Sequence, residues 1–218
     1  MRLPLLVWVS KDIDNEFNEL KRGFDELRRK EKKFLAVRDS DYKDYPDFRN
    51  QPDKGVFRLF PKEIYDGKLV TQGGGSYFSF VSQVHDYQAA PDIGLERGSL
   101  RSGFSGCNFG YMTDLGDVSL RELDESTSAL RFLLNFEVAR GEPNIRKQQM
   151  ASWGFESGGT KYRGTLDDVR VGQTFALRSI LFDRHDILVA FKIIGTEKDG
   201  SLIIAWKKIK SFPESSCR

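Results

Sequence analysis

Hydrophobic positions recur at helical spacing near the start of the chain and at strand spacing near its end. Ile13, Phe17, Leu20, Phe24 and Leu27 stand four, three, four and three residues apart, which puts them on one stripe of an amphipathic helix over 11–37. Ser10 is placed to cap it, and Gly23 costs it about 1 kcal/mol relative to alanine. Such a helix therefore depends on packing, either on its own domain or against a second helix. Glu31 breaks the seam at the next core position. Upstream, residues 3–9 form an apolar run broken by Pro4. It falls short of the roughly 20 residues that cross a bilayer. The expectation is a β-strand or apolar arm docked on the domain, with the remnant of a longer hydrophobic segment as the alternative.

Residues 39–55 are rich in Asp, Tyr, Pro and Asn without a period, and read as a polar linker or surface loop. From residue 56 the pattern changes to short strands at 56–60, 68–71, 76–84, 93–97, 100–104 and 109–112, punctuated by glycine. Residues 130–138 fit two periods. Leu130, Leu133, Leu134 and Val138 suit a helix, whereas Leu130, Phe132, Leu134, Phe136 and Val138 alternate without a fault, and the alternation favours a strand. Pro143 opens a helix over 143–153, stopped by Gly154. A meander follows over 174–182, 187–196 and 201–209, its second turn marked by Asp199-Gly200. Residues 187–194 are apolar on both faces except Lys192, so this strand must be covered on both sides. The expected fold class is α+β, mainly β: a compact antiparallel sheet, barrel-like or sandwich domain over 56–218, preceded by an arm and helix over 1–38.

Three stretches, 73–80 (GGGSYFSF), 106–120 (GCNFGYMTDLGDVSL) and 178–193 (RSILFDRHDILVAFKI), resemble a group of uncharacterised bacterial proteins. The resemblance spans residues 55–212. It implies a bacterial origin and one continuous β-rich unit, and no reaction, ligand or partner.

Composition changes this picture little. Hydrophobic residues are 39% and charged residues 30% of the 218, as in an ordinary globular protein. The net charge of +2 gives no sign of a basic face and argues weakly against nucleic acid. Cys107 and Cys217 cannot build a disulfide framework. They read as reduced thiols, Cys217 on a frayed tail, in a cytoplasmic protein.

Candidate chemistry is sparse. Gly73, Gly74 and Gly75 could form a phosphate nest, but no P-loop Lys follows, and a flexible turn is the simpler account. His85-Asp86 and His185-Asp186 could each join a base to a carboxylate, and Cys107 could be a nucleophile if a histidine came near. Asp114 and Asp117 on a turn could meet a cation but lack further oxygens. Lys207, Lys208 and Lys210 beside Trp206 and Phe212 could bind a single strand, though lysines on an edge strand also prevent aggregation. No cofactor or metal is implied. The leading expectation is a non-catalytic interaction protein or regulatory subunit, associating with another chain or with itself through residues 11–35. A small hydrolase using His85, His185 and Cys107, or the Asp114/Asp117 turn, is the alternative, and a nucleic-acid-binding module the third.

Overall fold

In the computed structural model the described residues are 4–104 and 106–217, with the backbone alone for 4–10. Leu3, the first residue of the expected arm, and Arg218 lie outside them. The chain divides into two units, Met1–Ala36 and Val37–Arg218.

The described part of the first unit is one helix, α1, Pro4–Leu35. It starts earlier than the sequence predicts. The expected strand or arm is helical from Pro4 onward, and Ser10 lies within the helix instead of capping it. Proline is tolerated in a first turn, where its missing N–H has no partner to lose. Val9 and Leu6 also extend the spacing of Ile13 backward by four and three.

The second unit is built on a five-stranded antiparallel sheet. Its strands are β1 (Lys54–Leu59), β5 (Phe109–Gly116), β9 (Thr174–Leu181), β10 (His185–Thr196) and β11 (Leu202–Phe212), in the order β1-β11-β10-β9-β5. Four shorter strands, β2 (Tyr77–Phe78), β3 (Ile93–Glu96), β4 (Ser99–Arg101) and β8 (Thr165–Leu166), make a second sheet in that order. The hairpin of β6 (Phe155–Ser157) and β7 (Thr160–Tyr162) is a separate two-stranded sheet. The sheets are open; the layers form a sandwich and not a closed barrel.

The expected central strand is β10. It pairs with β9 through Val189–Leu177 and Phe191–Phe175, and with β11 through Phe191–Trp206. Alternation along it explains its two apolar faces. Ile187, Val189, Phe191 and Ile193 join Phe78, Ile93, Leu95 and Leu100 of the second sheet in one core. Leu188 packs with Leu130, Leu133, Ile145 and Tyr162 on the other face, and Ala190 with Tyr45, Phe48, Leu120 and Leu123. The first core is rich in phenylalanine, with Phe57 stacked on Phe78 at 3.8 Å and edge-on to Phe80. Five of the chain's 17 phenylalanines, Phe57, Phe78, Phe80, Phe175 and Phe191, lie in this core.

Residues 39–55 belong to this unit, which fits the surface-loop alternative and not the linker. Two short 3-10 turns, Asp39–Tyr42 and Pro46–Phe48, deliver Tyr45 and Phe48 into the core. No strand forms over 68–71, and the expected strand 76–84 shrinks to β2 plus a bridge between Ser79 and Val84.

Residues 130–138 are not a strand. They form a 3-10 turn, Ser128–Leu130, running into a short helix, α3 (Arg131–Asn135). Leu130 and Leu133 are the fully buried pair, as the helical pattern has it. A charge from elsewhere decides the ambiguity. Arg178 of β9 donates through Nη1 to the Leu133 and Phe136 carbonyls at 2.7 and 2.8 Å, satisfying acceptors at the helix end. Two helices remain, the single turn Lys62–Tyr65 (α2) and Glu142–Ala151 (α4), and the second matches the segment that Pro143 predicts.

Cys107 and Cys217 are joined in a disulfide, with Cα atoms 6.3 Å apart across 110 residues of sequence. The expectation of two reduced thiols and a frayed tail is corrected. The tail is also held by the Asp183 amide, which donates to the Ser215 carbonyl at 3.0 Å.

Candidate functional site

Helix α1 carries its apolar stripe exposed. Ile13 is 59% accessible, Phe17 65%, Leu20 74%, and Phe24 and Leu27 46% each. Exposed leucines and phenylalanines scattered singly are ordinary; here five share one helical face. The flanks are charged. Glu26 and Lys30 form an i,i+4 pair at 2.9 Å, which lowers the Glu26 carboxyl below its usual range. The Arg28 guanidinium lies over the Phe24 ring at 4.9 Å.

The residues that could have made a hydrolase are engaged separately. The Cys107 sulfur is in the disulfide and offers no thiolate. His85 Nε2–H donates to the Arg58 carbonyl at 2.6 Å, and its ring packs near Phe78 at 5.1 Å. A carbonyl only accepts, so this contact fixes the tautomer. Burial pushes the His85 pKa down to about 4. His185 Nε2–H donates to Asp92 at 2.7 Å, and Asp92 also accepts from Ser179 Oγ at 2.6 Å and the Phe80 amide at 2.8 Å. Here the carboxylate lies between serine and histidine. In a nucleophilic triad the histidine must touch the serine.

Neither histidine pairs with the aspartate beside it in sequence. Asp86 accepts from the Gln88 amide at 2.9 Å and starts a 3-10 turn. Asp186 pairs with Arg178, because successive strand residues face opposite ways and His185 and Asp186 therefore look into different layers.

The remaining candidates also have structural partners. Asp114 accepts from the Gly116 amide at 2.8 Å and from Gln173 at 3.0 Å, and Asp117 pairs with Lys192 at 2.5 Å. Among the described residues, no group of three or more His, Cys, Asp or Glu is placed to hold a metal ion. Gly73, Gly74 and Gly75 all have positive φ and form a buried turn. The Gly74 and Ser76 amides donate to the Thr71 and Gly73 carbonyls, so two of the donors a phosphate nest would use are already occupied. A Cβ on Gly73 would collide with the Tyr77 ring, and one on Gly74 with the Tyr65 backbone. Lys210 is paired with Glu125 at 2.6 Å, while Lys207 and Lys208 share their cleft with Asp47 and Asp53. Trp206 is buried, and Phe212 carries Arg178 over its ring at 3.6 Å, so neither ring is open for base stacking.

One cleft escaped the sequence reading. It has a volume of about 310 Å³ and is walled by Tyr77, Tyr87 and Phe104, whose rings meet edge to face at 4.9 and 5.1 Å about Tyr77. Glu96 lies at its floor. It accepts from Tyr77 Oη, from Lys62 at 3.2 Å and from Arg101 at 3.1 Å, and Lys62 also donates to Tyr77 Oη at 2.8 Å. Burial alone would raise the Glu96 carboxyl, but the hydrogen bonds from Tyr77 and Lys62 outweigh it and lower it. Burial, with the bond to Glu96, pushes Tyr77 up to about 12, and the bonds to Tyr77 and Glu96 raise Lys62. Near neutral pH this leaves a carboxylate, a phenol and an ammonium. The available signal was the pair Gly73 and Gly94, between which the Tyr77 ring sits. A Cβ on Gly94 would come within 2.8 Å of that ring.

Among the described residues, no helix is long and apolar enough to cross a membrane. Comparison of the chain with protein-family models, curated proteins and solved structures returns no match.

Proposed function

We propose that this protein is a non-catalytic interaction protein whose helix α1 docks on another protein chain through Ile13, Phe17, Leu20, Phe24 and Leu27. The observation that carries the reading is the exposure of that stripe, 46–74% at all five positions. Burying a phenylalanine contributes about 1.5–3 kcal/mol, so two phenylalanines on one face supply a real driving force for association. The separate engagement of His85, Cys107 and His185 supports a binding role over a hydrolytic one. The cytoplasmic location expected from two reduced thiols loses its basis with the Cys107–Cys217 bridge, and a bridge of this kind favours an oxidising compartment.

Phe17→Ser with Phe24→Ser tests the reading. The expected result is an unchanged melting temperature for residues 37–218 together with loss of association. A lower melting temperature at unchanged solution mass would contradict it, because the stripe would then be packing within its own chain.

A further inference from the structure

We infer that the chain which covers the stripe is a second copy of this one, its α1 running antiparallel to the first. The inference rests on the reading of residues 13–27 as a docking face and adds the identity of the occupant. On a heptad, Phe17 and Phe24 take the a positions and Ile13, Leu20 and Leu27 the d positions. The residues flanking the seam are then Asp14 and Glu16 toward the N-terminus, Lys21 in the middle, and Arg28 and Lys30 toward the C-terminus. The flank is acidic first and basic last.

That polarity selects a direction. A parallel pair gains Glu16 against Lys21 but lays the acidic half on the acidic half and the basic on the basic. An antiparallel pair can place Phe17 against Leu27 and Leu20 against Phe24 of the second copy. In that register Asp14 faces Arg28 and Glu16 faces Lys30, and the two-fold axis repeats both attractions. Every phenylalanine meets a leucine. Lys21 falls beside Lys21 of the second copy near the axis and is the one like-charge contact, while Ile13 falls opposite Glu31 at the end of the seam. The intrahelical Glu26–Lys30 pair has both side chains more than half exposed, so it does not prevent Lys30 from turning to a carboxylate across the seam.

Two experiments on the full, disulfide-bonded chain test this. Lys21→Cys, oxidised and peptide-mapped, should give a cross-link between the two positions 21, whereas Asn18→Cys on the outer face should not. Asp14→Arg with Glu16→Lys should weaken the dimer at least tenfold. Adding Arg28→Asp and Lys30→Glu should restore it, which a parallel pair would not show, since the lysine placed at 16 would still face Lys21. A two-chain mass without the position-21 cross-link, or without restoration, overturns the antiparallel arrangement. A one-chain mass at every concentration, with the melting temperature of Phe17→Ser/Phe24→Ser unchanged, overturns self-pairing and leaves the docking face for another partner. A lowered melting temperature in that variant overturns both.

Discussion

Replacing Arg178 by methionine should be among the most damaging single changes in this fold. The Arg178 and Asp186 side chains are 3% and 2% accessible, and they meet through two parallel hydrogen bonds, Nε to Oδ1 at 2.9 Å and Nη2 to Oδ2 at 2.8 Å. The third nitrogen holds the Leu133 and Phe136 carbonyls, and the guanidinium lies on the Phe212 ring. Methionine fills similar space but leaves the Asp186 carboxylate buried without its partner. Breaking a buried pair from one side costs about 3–5 kcal/mol, and each orphaned carbonyl adds about 1 kcal/mol. The contributions overlap, so the expected loss is about 4–6 kcal/mol, a large part of the stability of most domains. Arg178→Met with Asp186→Leu removes the uncompensated charge and should recover at least about 2 kcal/mol. Urea unfolding followed by tryptophan fluorescence measures both variants, and amide exchange over 131–136 should rise in both. A loss below about 1 kcal/mol, or a double variant as unstable as the single, would refute the argument that this pair anchors α3.

Three further changes have defined outcomes. Alkylation of the native protein should modify neither cysteine until it is reduced, and Cys107→Ser should cost about 2–4 kcal/mol, because the bridge closes a loop of 110 residues; free thiols in non-reduced protein would contradict this. His85 stays neutral in the fold down to about pH 4, while the unfolded chain protonates near 6.5. Its contribution is therefore intact above pH 6.5 and falls by up to about 3 kcal/mol as pH drops through that window. A His85→Gln variant with the same pH slope as wild type would show that another group is responsible. Phe191→Asp puts a lone charge into the fully buried centre of β10 and should lower stability by several kcal/mol; an unchanged melting temperature would sink the assignment of that strand to the core.

The parts of the fold legible in the sequence are those that local pattern determines. The meander was readable because β10 is apolar on both faces and Asp199-Gly200 sets its neighbour, and α4 because Pro143 fixes its start. Residues 130–138 satisfied both periods, and the choice came from Arg178, more than 40 residues away, which no local window contains. The 39–55 segment read as a linker or a surface loop because polar residues outnumber Tyr45 and Phe48, and those two rings, which the core takes, decide for the loop. Cys107 and Cys217 gave no hint of pairing, since connectivity across 110 residues depends on where β9 and β10 carry the chain. In the site, the α1 stripe was legible from spacing alone. The Lys62–Tyr77–Glu96–Arg101 cleft was not, because its four members come from separate elements and share no motif.

The central claim is that the α1 stripe is free on one chain and covered by association. An environment-sensitive fluorophore on a cysteine in place of Phe17, in the full oxidised chain, reports this directly. The account predicts a solvent-like emission at high dilution that moves to the blue as unlabelled wild-type chain is titrated in, with no such shift when the titrant carries Phe17→Ser and Phe24→Ser. An emission that is already blue at the lowest concentration and indifferent to titrant would contradict it.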